Sequence, residues 1–235
     1  MRYNSLMSRK STISSRISAL LVPHEKALFD NLGTPDAIQD YLDSLSVNFE
    51  DQGETYYSPR RVVREKTAHC FEGALFAAAV LAYHGARPLL LDFQTSGDDQ
   101  DHVVALFKKN NRWGAISKTN HAVLRYRDAV YTSPRELAMS YFHEYFMPNG
   151  TKSLKAYSAP FDVSRFALER WLTAENDLHW LAGELDHSKH FPTVSHNILA
   201  SLRKAQPVEI DASFHIEWKR QGTRAKRGTR DNSSG

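Results

Sequence analysis

The chain has one cysteine in 235 residues, Cys70. That scarcity excludes an intramolecular disulfide framework and a multi-cysteine zinc site. It fits a reducing compartment, so a cytoplasmic protein is expected. Long apolar runs are missing too. The longest clean stretch, residues 74–82, is far shorter than the roughly 18–20 residues a membrane helix needs, so no membrane partner is expected. No glycine-rich phosphate loop, nucleotide fingerprint or serine nucleophile elbow occurs, and no cofactor is expected. Acid is absent from the first 20 residues, which hold Arg2, Arg9, Lys10 and Arg16.

Six bases lie in residues 219–235 against the single acid Asp231. Without these two ends the chain keeps 20 basic and 26 acidic residues, so the net charge of +3 describes a mildly acidic body with basic tails. Solvated tails over 1–20 and 219–235 are expected, flanking one domain over 21–218 with a C-terminal helical and strand extension. Nucleic acid is not an expected partner, because only the tails are basic. Hydrophobic residues make up 41% of the chain and charged residues 24%, the composition of a globular protein.

Thr34-Pro35-Asp36 is a helix-start signal, with a hydroxyl cap, proline in the first turn and an acid at the positive end of the dipole. Residues 48–64 are polar, contain Gly53 and Pro59, and read as loop. The next helix spans 68–84 and ends at Gly85, suited to the left-handed C-terminal position. Phe71, Ala74, Leu75, Ala78, Val80 and Leu81 surround almost its whole cylinder, the mark of a central helix.

Three strands are expected next, over 88–94, 102–108 and 113–117. Asn110-Asn111 forms the tight turn between the last two. Ser133-Pro134-Arg135-Glu136 opens another helix, carried by Leu137, Tyr141, Phe142 and Tyr145 to Phe146. Phe166, Leu168, Trp171 and Leu172 suggest one more. Val208, Ile210, Ala212, Phe214, Ile216 and Trp218 alternate with polar residues, as in a strand. The order helix, three strands, helix predicts an α+β fold, a central helix carrying the cysteine on an antiparallel sheet.

Cys70 falls in the first turn of that helix, where free amides and the dipole favour a thiolate. His102 begins the middle strand, and a thiolate with an imidazole is the minimum for acyl transfer through a thioester. With a two-residue turn at Asn110-Asn111, His102 pairs with Thr119, and Ser117 sits diagonally beside it on the same face. Asn120 points away unless the strand ends there, and Asp101 points to the opposite face. His69 reads as a poor base, since neighbouring helical residues diverge by about 100°.

The run TAHCFEGA at 67–74, then His102 on a strand, then Trp113-x-x-x-Ser117 on the next, resembles the transglutaminase-like superfamily of papain-type folds. The resemblance covers roughly residues 35–120 and rests on order and spacing. It implies a Cys–His–Asp triad acting on peptide or protein amides, often as a hydrolase in bacterial members. Cys70 then matches the nucleophile and His102 the base, while Ser117 stands where the family has its aspartate. His69 replaces the usual glycine before the cysteine. A carboxylate orients the imidazole and stabilises its cation, whereas a hydroxyl does only the first. Asn120 is the alternative orienting group. The expected function is therefore a cysteine hydrolase or acyltransferase on peptide or protein substrates. The alternative is a binding module with a degraded triad.

The acidic loop Asp98-Asp99-Gln100-Asp101 lacks the glycine and distal glutamate of a calcium loop and reads as solvated. His179, His187, His190 and His196 are irregularly spaced around Pro192 and read as surface residues, with no metal site expected.

Overall fold

The structure is a computed structural model and describes residues 12–97 and 99–224. Its centre is the helix Cys70–Tyr83, with twelve of fourteen residues buried. Ala74, Ala77, Ala78, Ala79 and Ala82 are fully buried; their small side chains let neighbours approach closely, while Leu75 and Phe76 each add about 1.5–3 kcal/mol of apolar burial. His84 closes the helix, and Gly85 follows at φ 91°.

One face of this helix lies on an antiparallel sheet. The strands run in the order Arg127–Tyr131, Arg112–Ser117, His102–Lys109, Leu89–Thr95, Leu154–Ser158, His190–Pro192, and Phe161–Asp162 pairs with Leu89–Thr95 at one end. Asn110 and Asn111 take φ of 50° and 59°, so Lys109 pairs with Arg112 and Val104 with Ser117. The alternation of the strands then sorts two cores. Leu90, Val103, Ala105, Phe107 and Ile116 pack with the Cys70 helix. Leu91, Phe93, Val104, Leu106 and Ala115 pack with the helix Pro134–Tyr141 and with Tyr145. The fold is thus α+β, with a helix-bearing layer on each side of the sheet.

Several local expectations are corrected. The second half of the supposed N-terminal tail is the helix Ile13–Leu20, because Ile17 buries completely against the core. Arg2, Arg9 and Lys10 lie outside the described residues, as do Lys226, Arg227 and Arg230. Within the supposed loop 48–64 starts the helix Pro59–Glu65, capped by Ser58 and anchored by buried Val62. The helix expected around Phe166–Leu172 is only the 3-10 turn Leu168–Arg170; Trp171 and Leu172 are buried, and the Leu172 carbonyl accepts from the Arg60 amide instead of continuing a helix. The helix opened by Ser133 stops at Tyr141, and a 3-10 turn takes over from Phe142 to Glu144.

Most of the alternating segment is not a strand; only its end, Trp218–Lys219, forms one, paired with Thr223–Arg224. Residues Pro207–Ser213 are helical, since Pro207 fits the first turn and the Glu209 carboxylate accepts from the Gln206 amide. Local capping prevails there because no neighbour covers an alternating face: Val208 stays 74% exposed and Phe214 59%.

Candidate active site

Cys70 is the first residue of the central helix and is partly buried. His102, the first residue of its strand, is 6% exposed. Both residues line the same cavity, and His102 is near enough to help lower the Cys70 thiol. On its far side the His102 ring bonds through Nε2 to Ser117 Oγ at 2.8 Å. Ser117 in turn donates its hydroxyl to the Leu124 carbonyl at 2.5 Å. A serine has one proton to give. With that proton on Leu124, the oxygen faces His102 as an acceptor, so Nε2 carries the hydrogen of the neutral ring. The remaining nitrogen is Nδ1, with its lone pair free to act as a base. A neutral hydroxyl therefore holds one nitrogen of the His102 ring.

The rest of the frame holds this hydroxyl in place. Gln39 clamps the Ser117 backbone from both sides, its Oε1 accepting from the amide at 2.9 Å and its Nε2 donating to the carbonyl at 2.8 Å. Leu124 adopts the left-handed region at φ 60°, a conformation that costs a non-glycine residue about 1–2 kcal/mol. It is fixed by its amide, which donates to Glu144 Oε2 at 2.6 Å, while Arg127 holds the other oxygen of that carboxylate. Gly73 has no side chain to keep the helix off the strand end: a Cβ there would lie 2.5 Å from Lys118 Cβ. Lys118 follows Ser117 and is itself buried, its ammonium donating to the carbonyls of Leu42 and Leu45 at the end of the helix Pro35–Ser44. Burial brings its pKa down to about 8.

Asn120 has a different place. Its Oδ1 accepts from the Trp218 amide at 2.7 Å and its Nδ2 donates to the Trp218 carbonyl at 3.0 Å. The side chain ties the C-terminal segment to the strand end and makes no hydrogen bond to His102.

His69 is not where helical geometry puts it. It is the cap of the helix, with φ −95° and ψ −172°, so the 100° divergence between helical neighbours does not apply. Its Nδ1 lies 4.0 Å from the Cys70 sulfur and accepts from the Phe71 amide at 3.3 Å, and its Nε2 donates to the Thr55 carbonyl at 2.7 Å. Burial alone pushes the Cys70 thiol up. The hydrogen bonds from His102 and His69, with their charges, more than reverse this and bring the thiol down to about 5. Burial likewise opposes charge on His69, but its hydrogen bond to Cys70, the charges of Glu72 and Cys70, and the Thr55 carbonyl raise it to about 10.

The pair opens onto a cavity of about 580 Å³ whose walls include Asn48, Asp99, Lys118, Tyr145 and Phe214. Comparison with solved structures finds Legionella pneumophila LapG in three forms, each 12% identical to this chain. One form aligns at a TM-score of 0.33, covering 45% of this chain and 70% of LapG. A calcium-bound form gives 0.35, with 50% and 75% covered. An EGTA-treated form gives 0.38, with 74% and 92% covered. No protein-family model matches the chain. No curated protein matches it either.

The remaining candidates are dispersed. Asp101 accepts from the Thr95 amide and hydroxyl, and the Asp99 carboxylate accepts from Ser153; Asp98 lies outside the described residues. His179 packs on Tyr56, His187 bonds the Gly183 carbonyl, and His190 pairs with Asp92 at 3.0 Å. The side chain of His196 is outside the description. Among the described residues no group of three or more His, Cys, Asp or Glu is arranged to hold a metal ion. No helix among them is long and apolar enough to cross a membrane.

Gln39 and Glu144 escape sequence reasoning. Gln39 is one of several polar residues on its helix, and only its burial with Ile38 and Leu42 sets it apart. Glu144 lies in a segment expected to be plain helix. His69 carried a readable signal, because the residue before the helix turns its side chain back over the first amides.

Proposed function

We propose that the protein is a transglutaminase-like cysteine hydrolase or acyltransferase acting on peptide or protein amides. The observation that carries this reading is the continuous run Cys70, His102, Ser117, Leu124 carbonyl, in which every proton has one place to go. The Cys70 thiolate attacks the amide carbon. His102, having taken the Cys70 S–H proton at Nδ1, delivers it to the leaving amine, and a thioester forms on Cys70. Water or an incoming amine then attacks the thioester, His102 takes its proton, and the thiolate returns. Amides at the helix start and in the preceding loop are the donors for the developing oxyanion. The sparse use of cysteine agrees with a cytoplasmic setting.

The test is a mixture of peptides with varied backbone and side-chain amides, incubated with the protein and hydroxylamine and read by mass spectrometry. Hydroxamate or hydrolysed products are expected, and Cys70→Ala abolishes them. Absence of either product from a protein whose Cys70 alkylates readily overturns the enzymatic reading. Ser117 in place of a carboxylate favours a second reading, a peptide-binding module built on the same groove. That reading requires a Cys70→Ala variant to keep its peptide affinity while no turnover is seen.

A further inference from the structure

The carboxylate missing behind His102 has a counterpart on the other side of the sulfur. Glu72, in the first turn of the Cys70 helix, is fully buried. All its hydrogen bonds come from donors: the His69 and Tyr57 amides at 2.9 Å, the Thr55 hydroxyl at 3.0 Å and the Asn48 amide group at 3.2 Å. Its Oε1 lies 3.4 Å from His69 Nε2, and Glu50 Oε1 lies 3.7 Å from the same nitrogen. With the Thr55 carbonyl at 2.7 Å, three acceptor oxygens surround one end of the His69 ring. The other end faces Cys70.

We infer that Cys70 works between two imidazoles, His69 carrying the counter-charge of the resting thiolate against Glu72 and Glu50 while His102 shuttles the proton. The inference rests on the proposed thiol chemistry. In the resting step the Cys70 S–H bond breaks, an N–H bond forms at His69 Nδ1, and the net charge of the pair is unchanged; when substrate binds, that N–H breaks, and the proton passes back over the sulfur to His102 Nδ1, which delivers it to the leaving amine. Nδ1 then no longer accepts from the Phe71 amide, which is released as a further donor beside the sulfur. The division of labour follows from the partners. Ser117 is neutral and orients an imidazole without stabilising its cation, whereas Glu72 supplies negative charge in a buried setting where charge interactions are strong. The titratable groups facing the pair are Glu50 and Tyr56 from the preceding loop, Glu72 from the helix, His102 from the strand, and Tyr145 beyond the Phe142–Glu144 turn.

His69→Asn is the decisive variant, because asparagine is a strong helix cap and keeps an acceptor for the first-turn amides while losing the imidazole. The readout is the pH dependence of Cys70 alkylation by iodoacetamide, which needs no substrate. The inflection is expected to rise by one unit or more, which is a tenfold loss of thiolate at a pH below both values. An inflection within 0.3 unit, on the order of a twofold change, would reduce His69 to a cap and overturn the inference. Should His69→Asn fail to fold, the nitrogen-15 shifts of His69 in the unaltered protein decide. An imidazolium pattern at pH 8 supports the assignment and a neutral ring refutes it. Product formation in the peptide mixture separates this outcome from that of the proposed reaction: a shifted inflection without any turnover leaves the ion pair standing and removes the enzyme.

Discussion

Replacing Ser117 by alanine removes one oxygen and two hydrogen bonds from a residue that is 1% exposed. The Leu124 carbonyl loses its donor and the His102 Nε2–H loses its acceptor. A buried polar group left unpaired costs about 1–3 kcal/mol, so urea unfolding should show a loss in that range. The more specific effect is on the His102 tautomer. A net hydrogen bond worth about 0.5–1.5 kcal/mol now favours the ring with hydrogen on Nε2. Losing it shifts the tautomer ratio roughly 2- to 13-fold toward Nδ1–H, the form that offers sulfur no lone pair. Nitrogen-15 shifts of His102 measure the ratio directly. Ser117→Thr keeps a hydroxyl in register and should keep the Nε2–H form. Ser117→Asp should not restore a family-type triad, since a carboxylate has no proton for the Leu124 carbonyl and places charge against its oxygen. The proton assignment is refuted if Nδ1–H dominates with Ser117 present, or if Ser117→Ala leaves the ratio unchanged.

Gly73→Ala forces the helix away from Lys118, whose Cβ would lie 2.5 Å from the new methyl; a loss of about 1–3 kcal/mol is expected in chemical denaturation, with a slower Cys70 alkylation as Ser117 is displaced. Asn120→Ala frees the Trp218 backbone and should cost about 1 kcal/mol while leaving the Cys70 inflection where it was, and a shifted inflection would return Asn120 to the site. Asn111→Ala places an alanine at φ 59° and should destabilise by about 1–2 kcal/mol, whereas Asn111→Gly is tolerated. Equal stabilities for those two variants would contradict the hairpin register that sets Ser117 beside His102.

The parts of the site that the sequence made legible are those fixed by local chemistry and by counting. An apolar run ending in Gly85 defines the Cys70 helix. The Asn110-Asn111 turn fixes the register, and register alone puts Ser117 on the His102 face. What stayed hidden depends on distant neighbours. Gln39 is 78 residues from Ser117 in the chain, and nothing in its surroundings announces a clamp. Leu124 is left-handed because Glu144 holds its amide, not because leucine favours that conformation. The apolar alternation after Pro207 misled because alternation marks a strand only when a partner covers one face. His69 was misplaced: inside a helix begun at residue 68 it points away from the sulfur, whereas as the cap it reaches back toward it.

The central claim is that Cys70 is an activated thiol held as a thiolate by its histidines. The direct test is the pH–rate profile for alkylation of the folded protein. Because the thiol is lowered to about 5 and His69 raised to about 10, the rate should climb through pH 5 and stay high across neutrality. A profile that begins to rise only near the free-cysteine value of about 8.5, or labelling that requires unfolding, would contradict it.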